Sequence, residues 1–278
     1  MEGRTTSQGT ACSSDPFFIS ADAGAPDRRS TGNGRQCNVA DMGITPATEE
    51  GHMIINGQPE DIATPLSVDE LIARGMHPWI CLCYGNDLYT ESAKQVFGAV
   101  GCPPIFTDEE KTAWTNYVRA TVRHFAGRVT HYEIWNEPDG KWCWKHGVSA
   151  EEYGRFAHDT AKAIREVSDD AFIIGGSVCM IWDLSYMDTA LSAGMAGSVD
   201  AVTFHEYTAD ETALYTHVPA LEALIHLHDP KIRLIQGESG SQSRSDGCGA
   251  LAGGAWTPER QAKQCLRHAV ADLSTDVL

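Results

Sequence analysis

Residues 131–138 read His-Tyr-Glu-Ile-Trp-Asn-Glu-Pro. A β-branched and aromatic run from Val129 to Trp135 delivers Asn136 and Glu137 side by side at its C-terminal end. Pro138, which has no N–H to give a ladder, is expected to stop the strand. A carboxyl group held at a strand end beside an amide suits glycosidic chemistry. The carboxyl can protonate a leaving oxygen, and the amide can grip a neighbouring hydroxyl that matters more in the transition state. Such chemistry needs a second carboxylate. Glu238 is the natural candidate, because it follows the apolar run Ile232–Ile235 and lies between Gly237 and Ser239, where backbone can approach a ligand closely.

Two other mechanisms fail on spacing. His205-Glu206 begins a His-Glu-x-x-His pattern, but Ala209 occupies the second histidine position, so no zinc-peptidase helix forms. Gly237-Glu238-Ser239-Gly240-Ser241 approaches a nucleophile elbow, but its fifth residue is Ser241 rather than glycine. The nine cysteines are scattered and contain no Cys-x-x-Cys, so neither a paired disulfide framework nor a metal site is expected. Cys81 and Cys83 share one face of a predicted strand and read as small buried hydrophobes.

Composition narrows the partners. With 278 residues and 42% hydrophobic content, the chain can build one large core. A net charge of −17 argues against nucleic acid and anionic membrane surfaces, which would be repelled. No run of 18 apolar residues exists, so no membrane span is expected. Residues 1–20 contain no apolar signal core, which points to a cytoplasmic location. No cofactor is implied, the partner is a carbohydrate, and the oligomeric state is open.

The elements that must position these carboxylates begin near Leu66. Residues 1–65 are rich in Ser, Thr, Gly, Asp and Arg and read as an irregular or disordered segment, with a short strand at Met53-Ile54-Ile55. From 66 to 278 a regular alternation follows. Capping boxes at Ser67–Glu70, Thr107–Glu110 and Ser149–Glu152 open helices. Strand-like runs lie at 79–84, 129–135, 171–174, 199–204 and 231–236, and a last helix starts at Thr257-Pro258. Strands alternating with amphipathic helices imply parallel βαβ units, here an α/β (β/α)₈ barrel. Polar residues end several strands, and no Gly-x-Gly-x-x-Gly turn follows any of them, which argues against a doubly wound sheet. The carboxylates then end strands three apart, across the barrel mouth.

Glu133-Ile-Trp-Asn-Glu-Pro-Asp139, Phe204-His-Glu-Tyr207 and Gln236-Gly-Glu-Ser-Gly240 together resemble the clan A glycoside hydrolases, most closely glycoside hydrolase family 39, the β-xylosidase and α-L-iduronidase type. The resemblance spans about residues 66–278. It implies a retaining enzyme with Glu137 as acid/base, Asn136 on the sugar 2-hydroxyl and Glu238 as nucleophile. His205 and Tyr207 match the polar residues ending strand six, with Tyr207 donating to the nucleophile. It also implies a raised pKa for Glu137, an ionised Glu238, and carboxyl groups about 5–5.5 Å apart. By this numbering the chain carries strands three to seven. Strand eight is absent, strands one and two find no clear match in residues 1–65, and the barrel is expected to be incomplete, with exposed edges and apolar surface.

Several residues keep two readings. His205 is either a packed core histidine or part of the site. Trp142 and Trp144 either stack on sugar faces or cap the barrel. Tyr84 and Asn86, ending strand three, either touch substrate or only close the strand. Glu206 and Asp139 are expected to be supporting carboxylates, and Glu133 is expected to point into the barrel on the same side as Trp135.

Overall fold

In the computed structural model, residues 37–38, 52–55, 66–83, 85, 102–246, 250–275 and 277 are described. Most of the N-terminal segment, together with Tyr84 and Asn86, lies outside them. Within that segment β1 (Cys37–Asn38) and β2 (His52–Ile55) run antiparallel, and β2 pairs in turn with β3 (Leu66–Ser67).

The main sheet is five parallel strands in sequence order. They are β4 (Trp79–Leu82), β5 (His131–Ile134), β6 (Phe172–Val178), β7 (Ala201–His205) and β8 (Arg233–Glu238). Helices α1 (Val68–Ala73), α2 (Asp108–His124), α3 (Ala150–Arg165), α4 (Leu184–Ala190), α5 (Leu214–His228) and α6 (Pro258–Ser274) interleave with the strands. A strand followed by a helix and a parallel strand at every step is the βαβ repeat of the expected barrel. The described sheet makes up five-eighths of such a barrel, and among the described residues no strand pairs with the outer edge of β4 or β8.

Local chemistry explains the helix starts. Ser67 and Thr107 each accept from the N3 backbone, while Glu70 and Glu110 reach back to the cap. The Ser149 box forms only by half: its hydroxyl accepts from the Glu152 N–H, while the Glu152 carboxylate takes the indole N–H of Trp144. Gly75, at φ +79°, supplies the left-handed residue after α1.

Strand parity sorts the two faces. Ile80, Leu82, Tyr132, Ile134, Val202, Phe204 and Leu234 pack with apolar residues of all six helices into one core. The opposite face starts with a small apolar plug of Trp79, Ile174, Ala201 and Ile235. Above the plug lies a polar layer in which the Glu133 Oε1 accepts from Ser177 Oγ and Thr203 Oγ1, each at 2.6 Å. Glu133 is thus interior as expected. Trp135 is not on its side, because at φ +67° it breaks the alternation and packs outward against Trp114, Phe156 and Trp144. That residue, not Pro138, ends the strand at Ile134.

Burial is less complete toward the C-terminal end. Leu266, Val270 and Leu273 on α6 are exposed at i, i+4 and i+7, an apolar stripe that suits an open barrel section. Among the described residues no helix is long and apolar enough to cross a membrane.

Candidate active site

The ends of β5, β7 and β8 converge on one buried cluster. Glu137 is aimed there by an unusual stretch of backbone, with Trp135 at φ +67° and Glu137 at φ +42°. Each such left-handed residue costs on the order of 1–3 kcal/mol, and surrounding contacts must hold it. They do so here. The Trp135 N–H bonds to Leu82 O, the Glu137 N–H to Ser177 O, and the Trp135 indole to Cys143 O. Asp139 fastens the following turn by accepting from the backbone N–H groups of Cys179 and Met180 at 3.0 and 2.7 Å, a supporting role as expected.

His205 ends β7, and Glu238 is the last residue of β8 rather than a residue beyond it. A Cβ on Gly237 would meet the Thr203 side chain at 3.0 Å, so glycine eases the close approach of β8 to β7 beneath the site. His205 Nδ1 lies 3.2 Å from Glu137 Oε1 and 3.1 Å from Glu238 Oε2. The hydrogen bond goes to Glu137. Oε2 of Glu238 has no hydrogen-bond partner among the described residues and feels the imidazole as a charge. Tyr207 O–H donates to Glu238 Oε1, and the Trp142 indole N–H donates to Glu137 Oε2. One donor atom from each of Glu137, His205 and Glu238 falls within 4.8 Å of the others.

The electrostatics are uneven. Burial pushes Glu137 upward, but the hydrogen bond and charge of His205, with help from Trp142, hold its pKa below the ordinary carboxylate value. Burial raises Glu238 to about 8, and the charge of Glu137 adds to it against His205 and Tyr207. Burial alone would lower His205, yet Glu238 and Glu137 together carry it up to about 9. A protonated imidazolium between two carboxylates has no lone pair for a metal and already supplies the balancing charge. The three donors therefore suit a shared proton better than a cation.

The expected protonation order is thus inverted, with Glu137 the more readily ionised carboxyl and Glu238 the one that keeps its proton. The physical cause is that both N–H donors point at Glu137, while Glu238 carries the heavier burial cost.

Other sequence expectations divide. Asn136 is buried at the site edge, its amide on Cys143 Sγ at 3.6 Å. Trp142 is half exposed and folds back over Glu137, an approach that Gly140 permits because a Cβ there would meet the indole at 2.5 Å. Trp144 offers no face to a sugar. It is fully buried against Trp135, Tyr153 and Phe156, so it caps the helix layer instead. Tyr84 and Asn86 lie outside the described residues. The neighbouring Glu206 is buried, its Oε2 has no hydrogen-bond partner among the described residues, and burial alone raises it to about 7. The Glu133–Ser177–Thr203 layer beneath the site was missed, since only strand parity and the β6 bulge near Gly175 reveal it.

The model of glycosyl hydrolases family 39 matches residues 64–226. Among solved structures, the monomeric β-xylosidase of Caulobacter crescentus CB15 is 20% identical, with TM-score 0.51 over 64% of this chain and 40% of its own. The family 39 enzyme of Xanthomonas axonopodis pv. citri is 22% identical, with TM-score 0.52 over 64% of this chain and 39% of its own. A second family 39 β-xylosidase structure from Caulobacter crescentus is 22% identical, with TM-score 0.52 over 71% and 44%. The chain therefore spans about two-fifths of the length of these relatives, and the five strands are part of a (β/α)₈ barrel. Because the family model covers more than half of the 278 residues, this chain belongs to glycosyl hydrolases family 39.

Proposed function

We propose that this chain carries the catalytic pair of a retaining glycoside hydrolase, with Glu137 as acid/base, Glu238 as nucleophile and β-xylosides as the first substrate class. The observation that carries the proposal is the meeting of two buried carboxylates, one just past β5 and one ending β8, with an oxygen of each within 4.8 Å of the other. Retaining pairs stand about 5–5.5 Å apart, whereas inverting pairs leave about 6.5–9.5 Å for a water. Xylosides come first because two of the structurally similar enzymes are named as β-xylosidases.

In the first step Glu238 attacks the anomeric carbon while Glu137 gives a proton to the leaving oxygen. In the second, Glu137 takes a proton from water as it displaces Glu238. Asn136 grips the 2-hydroxyl, Tyr207 holds Glu238 in line, and Trp142 walls the sugar side of Glu137.

Glu137, Glu238 and His205 titrate as a unit, and near neutral pH the two carboxyls share one proton. The resting tautomer places that proton on Glu238. A glycosidic oxygen at Glu137 and growing positive charge beside Glu238 favour the other tautomer, which is the reactive one.

Hydrolysis of an aryl β-xyloside, with the anomeric product followed by NMR, tests this reading. Retained configuration is expected. Inversion, or turnover that survives both Glu137→Ala and Glu238→Ala, overturns it. A rival reading, a remnant that binds sugar without cleaving it, draws on the five-strand sheet among the described residues. Sugar binding by a cooperatively melting sample that gives no turnover would favour that rival.

A further inference from the structure

At the end of β4, Cys81 and Cys83 place their sulfurs 3.6 Å apart. Both thiols are free and half-buried, and Cys83 packs against the edge of the helix-side core. Cys81 Sγ also donates to the carbonyl of Trp135 at 3.2 Å. The dithiol therefore touches the backbone that aims Glu137.

The spacing selects what can bridge it. Residues two apart on a strand have Cα atoms roughly 6.6–6.8 Å apart, at the outer limit for a disulfide with its S–S bond of about 2.05 Å. A centre whose bonds to sulfur are about 2.3 Å long spans sulfurs roughly 3.5–3.8 Å apart. The observed gap already fits such a centre. A soft cation needs thiolates, and here the Cys81 thiol is held protonated by its bond to Cys83, by burial and by the charges of Glu133 and Glu238. A trivalent arsenic oxide needs no thiolate, because it takes up the protons itself.

We propose that Cys81 and Cys83 form a dithiol site for trivalent arsenicals, through which the neighbouring carboxylate site is inhibited. Capture forms two As–S bonds and breaks the arsenic–oxygen double bond. Both thiol protons leave with that oxygen as water, and arsenic stays trivalent, so nothing is oxidised. The S–H donor to Trp135 O is lost in the same event.

The test is native mass spectrometry of the full chain with one equivalent of phenylarsine oxide. One phenylarsenic group per chain is expected, removed by 2,3-dimercaptopropanol and resistant to excess monothiol. Peptide mapping of the wild-type adduct is expected to find arsenic on the peptide carrying both residues. Cys81→Ser and Cys83→Ser each lose the adduct, whereas Cys265→Ser keeps it. A folded chain that takes up no arsenic, a map that places it elsewhere, or an adduct retained in both variants overturns the site. The adduct is read without any sugar, so its failure is separable from failure of the hydrolase reading. Loss of xyloside turnover in step with adduct formation is expected of the inhibition.

Discussion

The Nδ1 of His205 lies 3.2 Å from Oε1 of Glu137, and the same nitrogen lies 3.1 Å from Oε2 of Glu238. One buried imidazole therefore sets the charge balance of two carboxylates that arrive from strands three apart in the sheet. Its position at the end of β7, between β5 and β8 at the mouth, explains why a histidine there stays protonated to about pH 9.

This arrangement fixes a pH dependence. The shared carboxyl proton is lost near pH 8, so kcat/KM on an aryl xyloside is expected to fall above that value. His205 favours ionised carboxylates. Removing its charge in His205→Gln therefore makes the carboxyls hold protons more tightly and moves this alkaline fall upward by about one unit. A fall at the same pH in wild type and variant would remove His205 from the proton balance.

Glu137→Gln and Glu238→Gln are each expected to lower kcat by about 10²–10⁴-fold or more while the fold persists. The two losses differ in kind. In Glu238→Gly a small anion such as azide can enter from the nucleophile side and leave a glycosyl azide of inverted configuration. Glu137→Gly accepts the same anion from the opposite face and yields the retained product. Identical azide products from both variants would contradict the assigned roles.

Glu206 should be visible in stability rather than in rate. Its carboxyl sits near 7 in the folded chain against an ordinary value near 4.5. A raised folded pKa contributes stability that is fully present below the unfolded value and is lost as pH rises through 7. Denaturant unfolding of Glu206→Gln is expected to match wild type near pH 4.5 and to exceed it at pH 8 by about 1–2 kcal/mol, solvent screening of the partly desolvated carboxyl being allowed for. A constant difference across that range would place Glu206 in contact with a partner instead.

What could be read from the sequence was whatever depends on near neighbours. Ser67–Glu70 and Thr107–Glu110 close as capping boxes because all their atoms belong to one helix turn, and the strand–helix alternation follows from periodicity. Glu137 and Glu238 were readable as residue types at strand ends. The backbone that aims Glu137 was not, because two left-handed residues at Trp135 and Glu137 are stabilised by Leu82 and Ser177, partners from other strands. The same twist sent Trp135 to the helix side, against the alternation that placed Glu133 correctly. The inverted proton order was also hidden, since it arises from Trp142 and His205 both donating to Glu137, a convergence only the folded chain contains.

The two tryptophans after Glu137 give the sharpest separation of site from scaffold. Trp144 has no exposed surface and packs edge-on against three aromatic rings, so Trp144→Ala is expected to cost about 3–5 kcal/mol in denaturant unfolding. Trp142 is half exposed, and its indole N–H reaches Glu137. Trp142→Phe keeps an aromatic ring but removes that donor, so the Glu137 carboxylate loses a bond that favours its ionised form and its pKa rises. Stability should change by no more than about 0.5 kcal/mol, while the alkaline fall of kcat/KM moves to higher pH. Equal losses of stability in the two variants, with an unmoved pH profile, would make Trp142 a second packing residue and leave His205 alone in holding Glu137 ionised.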